Sequence, residues 1–164
     1  MDELQVGDRV LVGPGKAETV FMFSHQHREA RSTMVHIDTE HAAIELSAGH
    51  YLPIRGRLLA AQAVRVGDLI TTANGSVEHV VRSFLVQKDG LFHPHTPSGR
   101  IVVNGVVATT YTSAVKPRLA RVLLWIPMML HHFGVSNPVE NWFLRDNGWI
   151  AQYVPKGAAV GPCV

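Results

Sequence analysis

The chain has 164 residues, 46% of them apolar and 17% charged, with a formal net charge of +2 and a single cysteine, Cys163. That length predicts one domain with a core of its own, and the composition excludes a disordered chain or a highly charged surface binder. The small net charge, with no Lys/Arg cluster, argues against a nucleic-acid partner, and one cysteine excludes an internal disulfide framework or a cysteine-based zinc site.

The N-terminal Met1-Asp2-Glu3-Leu4 is acidic and does not read as a signal peptide. From there to about residue 115, runs rich in Val, Ile, Thr and Phe alternate with Gly, Pro and Asn turn signals, which predicts an all-β texture. Strands are expected over 9–12, 19–23, 34–37, 42–46, 51–53, 69–72, 78–87, 99–103 and 106–111. Asn104-Gly105 predicts a type I′ hairpin turn, and Asn74-Gly75 reads the same way. His93-Pro94-His95-Thr96-Pro97 reads as an exposed loop. After residue 116 the texture changes. The segment 118–126 is dense in helix formers, and Pro127 is expected to end or kink that helix. Its apolar run 122–130 is shorter than the ~18 residues of a membrane span. Trp125, Met128, Met129, Leu130 and Phe133 would suit either a core or a sterol- or lipid-touching surface over 119–133. A short helix over 139–144 and a loose Gly/Ala/Pro-rich tail over 155–164 complete a C-terminal segment, 116–164.

An internal repeat runs through the first 115 residues. Val6-Gly7-Asp8 recurs as Val66-Gly67-Asp68, and at the same offset of 60, Gly15, Glu18 and Val20 match Gly75, Glu78 and Val80. A duplicated all-β unit implies two halves about a pseudo-two-fold axis with a shared cleft. The offset carries His50 to Thr110, so the two halves are expected to present His50 and the Thr109-Thr110 pair to one site.

Chemistry concentrates at the corner Ser47-Ala48-Gly49-His50. A hydroxyl and an imidazole three positions apart on a rigid turn would polarise a carbonyl and protonate a leaving amine. Ten histidines are present, several paired as His25-x-His27, His93-x-His95 and His131-His132. Alternate positions on a strand share a face, which leaves a zinc or copper site as an alternative reading. The absence of Cys or Glu at ligand spacing weighs against it.

Four motifs in this order, 4–10, Glu45-Leu46-Ser47-Ala48-Gly49-His50-Tyr51-Leu52, 64–68 and 99–111, resemble the Hint domain of Hedgehog proteins and inteins, specifically the Hedgehog C-terminal autoprocessing (Hog) branch. The resemblance covers about residues 2–115 and implies a pseudo-two-fold, disk-like all-β domain, here 1–115, with a C-terminal helical or irregular appendage. It further implies self-cleavage: a cysteine at the head of the domain attacks the preceding carbonyl and gives a thioester, which a second nucleophile resolves. Ser47 would polarise the scissile peptide and His50 would protonate the departing amine. Three departures bear on this. The family's cysteine-bearing first strand precedes the Gly-Asp turn, whereas this chain starts at Met1; it is read as truncated before that strand, and so as unable to process itself. Ser24, 23 positions before Ser47, stands where the family has the carboxylate that activates sterol, with His25 beside it as a replacement base. Thr110 stands where Hedgehog has a cysteine. The implied partner is the precursor's own upstream segment, and the implied acyl acceptor is water, a sterol or another alcohol, with no cofactor. The implied setting is a secretory or membrane-associated precursor. A non-catalytic Hint-like binding module is the main alternative; an intein reading is weaker, because the chain lacks a terminal His-Asn pair.

Overall fold

The two Val-Gly-Asp copies fold alike, bond for bond. In a computed structural model describing residues 1, 3–115 and 117–135, the Gln5 N–H donates to Asp8 Oδ2 at 2.8 Å and the Arg65 N–H to Asp68 Oδ2 at 2.9 Å. The Gly7 and Gly67 N–H groups donate to the carbonyls of Val20 and Val80 at 2.8 and 2.9 Å, and the Val20 and Val80 N–H groups donate back to Asp8 and Asp68 at 2.8 and 2.9 Å. Both glycines take positive φ, 99° and 87°, where a side chain would be strained. Val20 and Val80 are buried on the far side of each turn. The repeat of the sequence is therefore a repeat of structure.

β1 (Arg9–Gly13) and β2 (Lys16–Thr19) form one antiparallel hairpin, and β9 (Arg100–Val103) and β10 (Val106–Thr109) another. Between them in the chain come the strands of a six-stranded sheet, β3 (Met22–Thr39), β4 (Ala43–Ser47), β5 (Tyr51–Ile54), β6 (Arg57–Ala60), β7 (Leu69–Thr71) and β8 (Val77–His95), in the order β4-β3-β8-β7-β5-β6. Alternation fills the core: Val35 and Ile37 of β3, Ile44 and Leu46 of β4, and Leu52 and Ile54 of β5 meet Ile70, Val80, Ile101 and Val106. The fold is all-β, with a single 3-10 turn at Ala61–Ala63 and one described α-helix, α1 (Pro117–His132), appended.

Several elements depart from the sequence expectation. β3 and β8 run far beyond 34–37 and 78–87, pairing antiparallel as a ribbon down to Met22 opposite His95. Residues 25–29 are exposed, so this stretch is held by ladder hydrogen bonds without an apolar face, and no hydrophobic period announces it. The segment 93–95 is thus strand rather than exposed loop, with Pro94 and His95 buried. Residues 19–23 divide between β2 and β3, and β6 was not expected. Asn104-Gly105 has both φ positive (48° and 82°), as a type I′ turn needs. Asn74-Gly75 differs: only Gly75 is positive, at 88°. The Thr72 N–H donates to Ser76 O and Asn74 Oδ1 accepts from the Ser76 N–H, making a three-residue loop with a glycine bulge. Pro127 lies inside α1, which continues to His132. The helix expected over 139–144, the tail over 155–164 and Cys163 lie outside the described residues.

Candidate active site

His50 sits on the corner between β4 and β5, where its N–H donates to Ser47 O at 2.9 Å. Gly49 is required there for space: a Cβ at this position would collide with the Ser113 side chain, and the Ser113 N–H already donates to Gly49 O at 2.7 Å. The corner is stitched to the other half of the molecule, because the Tyr51 N–H donates to Tyr111 O at 3.0 Å and Thr109 Oγ1 donates to Tyr51 O at 2.9 Å. His50 Nε2 then donates to Thr109 O at 2.6 Å. A carbonyl only accepts, so the neutral ring carries its lone pair on Nδ1.

A second imidazole hangs from the next carbonyl. His93 Nε2 donates to Thr110 O at 3.0 Å, its ring centroid 5.2 Å from that of His50. By the same logic His93 Nδ1 is an acceptor, and Ser24 Oγ lies 2.8 Å from it. The Ser24 proton thus points to His93. His95 Nε2, 3.1 Å from Ser24 Oγ, donates to it. The result is a directed chain: His95 N–H to Ser24 O–H to His93, and His93 N–H to the Thr110 carbonyl. The β3–β8 ladder explains the convergence. Its register shifts between Phe23, opposite Pro94, and His25, opposite His93, so Ser24 is the extra residue of a bulge.

Desolvation is the first cause that lowers the pKa of all three histidines. His50 is lowered, its bond to Thr109 partly opposing the shift. His93 is held well below the ordinary imidazole value, with His95, His50 and His25 adding like-charge repulsion. His95 is pushed down to about 3. All three rings are neutral near pH 7. Beside them opens a pocket of about 150 Å³, lined on one wall by Ser24, His25, His93, His95 and Thr110 and roofed by Ala120, Leu123, Leu124 and Pro127 of α1.

Of the expected site residues, His50, Thr110, Ser24 and His25 come together. Thr110 is buried with Oγ1 lacking a partner among the described residues, and exposed His25 stacks on His93 at 6.4 Å. Ser47, half-buried at the end of β4 and opposite Met34, does not line the pocket. His93 and His95 were missed. Their alternate spacing was visible, but the flanking prolines read as loop. Among the described residues no cluster of three or more His, Cys, Asp or Glu is arranged to hold a metal; the ring nitrogens of His93 and His95 are turned onto the Ser24 hydroxyl instead.

A family model for the Hint module matches residues 1–153. The chain belongs to the Hint module family. This Hint module is 28% identical over 167 residues to protein qua-1 of Caenorhabditis elegans, a match that takes in 84% of this chain but only 14% of that protein. Solved structures share the fold at lower identity. The gp41-1 intein matches with a TM-score of 0.58 and 14% identity, over 65% of this chain and 83% of its own. The bacterial intein-like domain from Clostridium thermocellum matches at 0.56 and 17%, over 66% and 85%. The DnaB intein from Synechocystis sp. PCC 6803 matches at 0.54 and 10%, over 64% and 79%.

Proposed function

We propose that this Hint module is a Hog-type self-processing domain, which cleaves its precursor by an intramolecular N-to-S acyl shift to a thioester that water or an alcohol resolves. The observation that carries the reading is the meeting of His50 with the Thr109-Thr110 strand end beside a pocket roofed by apolar α1 side chains. A desolvated neutral imidazole with its lone pair on Nδ1 suits both proton transfers of the first step. It takes the thiol proton as sulfur attacks the carbonyl, then delivers it to the amine, which leaves only when protonated. Ser47, at the other end of the corner, is the hydroxyl assigned to polarise the scissile peptide. Holding the sulfur beside its own carbonyl contributes up to ~7–11 kcal/mol through proximity alone.

The reading requires a cysteine thiol from the precursor's upstream segment, which is the domain's partner. Its acceptor is a sterol, another alcohol or water. At about 150 Å³ the pocket is smaller than the ~300–1,000 Å³ of drug-sized sites, and so fits a small alcohol or the hydroxyl end of a larger one. α1 exposes Leu119, Val122, Trp125 and Ile126, and Phe133 just after it is exposed as well, a surface suited to the body of a sterol or to lipid. No described helix is long and apolar enough to cross a membrane. A secretory or membrane-associated precursor is the setting that the resemblance to Hedgehog proteins implies.

The test is a precursor carrying its upstream residues, followed by mass spectrometry with and without dithiothreitol. Thiol-triggered cleavage at the upstream junction is expected, and His50→Ala should abolish it. A precursor that holds its junction cysteine and stays intact in thiol would overturn the reading and leave a binding module in its place.

A further inference from the structure

Resolving a thioester with an alcohol or water requires a base for the acceptor proton, and the described residues that line the pocket include no carboxylate. Its proton acceptors at neutral pH are imidazoles. His95 is turned the wrong way, because its Nε2 donates to Ser24 and its Nδ1 is buried without a partner among the described residues. His93 is turned the right way, with an Nδ1 lone pair facing a hydroxyl that lines the pocket. The carbonyl of Thr110 fixes its tautomer and orientation. A hydroxyl, a base within hydrogen-bond reach and a third group that orients the base is the arrangement that activates oxygen nucleophiles on many folds.

We propose that His93, acting through Ser24, is the base that accepts the proton of the acceptor hydroxyl when the thioester is resolved. The inference rests on the self-processing reading and assigns its second step. As the acceptor oxygen bonds to the acyl carbon, its proton passes to Ser24 Oγ while the Ser24 proton passes to His93 Nδ1. The carbon–sulfur bond breaks and sulfur leaves as thiolate; the His93 imidazolium then returns its proton to the thiolate, which ends as a thiol. Nothing is oxidised or reduced. The bulge at Ser24 is what makes the relay: the extra residue brings a hydroxyl between His93 and His95, so that one ring polarises the oxygen and the other removes its proton. The two steps then use separate imidazoles on consecutive carbonyls, His50 on Thr109 for forming the thioester and His93 on Thr110 for consuming it. The acceptor class is water or an alcohol whose apolar body can lie under Leu123 and Leu124.

Two competing exits from the same thioester test this. Dithiothreitol brings its own thiolate and needs no base, whereas water or an alcohol does. With the precursor carrying its upstream residues, the ratio of acceptor product to thiol product should fall by about 10²–10⁴ in Ser24→Ala and in His93→Gln, the usual contribution of a general base. A merely structural role would depress both exits together and leave the ratio at the wild-type value, and that result would overturn the proposal. Ser24→Ala removes a single hydroxyl, so it carries the test even where His93→Gln fails to fold. Failure of the wild-type precursor to cleave in thiol is a separate outcome, and it would sink the self-processing reading itself.

Discussion

At the scale of single residues, this site depends on carbonyls as much as on side chains. His50 and His93 are fixed by Thr109 O and Thr110 O, groups that every residue possesses. His50 could be singled out only by its spacing from Ser47, and His93 not at all, because the prolines beside it read as loop and a backbone acceptor leaves no residue type to read. Thr110 was reached through the repeat offset and through the resemblance, not through any local pattern of its own. Gly49 carries a prediction of its own. Gly49→Ala should cost about 1–3 kcal/mol in urea unfolding as an overpacked contact, and adding Ser113→Ala should recover part of that loss by removing the hydroxyl the new Cβ meets. Full cost in the double variant would place the strain in the backbone instead.

At the scale of elements, β3 and β8 show where pattern reading ends. Their inner halves alternate and were found; the stretch 25–29 farther out on β3 is polar and exposed and is specified by its pairing with β8. A polar cluster rides on the paired region. His36 Nδ1 faces Glu45 and its Nε2 faces Asp38, both at 2.8 Å, with Arg82 on Asp38, Lys88 on Glu45 and the Phe84 ring stacked on His36. The bond to Glu45, then that to Asp38, raises the His36 pKa above its ordinary value. A raised folded-state pKa stabilises below the unfolded value of 6.5 and loses that contribution as pH climbs through the folded value. His36→Gln should therefore lower Tm more at pH 6 than at pH 9. An equal drop at both pH values would mean that the cluster contributes packing and not charge.

At the scale of the molecule, the buried histidines act in the opposite sense. His95, at about 3 when folded against 6.5 when free, binds its proton only on unfolding, so stability holds above pH 6.5 and falls as pH drops toward 3. Its protonation on unfolding costs up to about 1.4 kcal/mol per pH unit in that window. Urea unfolding at pH 6.5 and pH 5 should show this slope, made shallower in His95→Leu; an unaltered slope would assign the acid sensitivity elsewhere. The all-β class and the duplication were plain in the sequence. How the copies interlock was not, because two of the three ties end on backbone N–H groups. Glu18 Oε2 accepts from the Ser98 N–H of the second half at 2.8 Å, and Glu78 Oε2 accepts from Thr39 Oγ1 and the His41 N–H of the first at 2.6 and 3.1 Å.

That exchange has a consequence for ancestry. When each copy reaches across to the other through the same position, the contact has the self-complementary form of an isologous dimer. A single ancestral unit could have closed its own loops only by borrowing a glutamate from a twin. Fusing two such genes would have turned an association that depended on concentration into one that did not, and it freed the two strand ends at the centre to diverge.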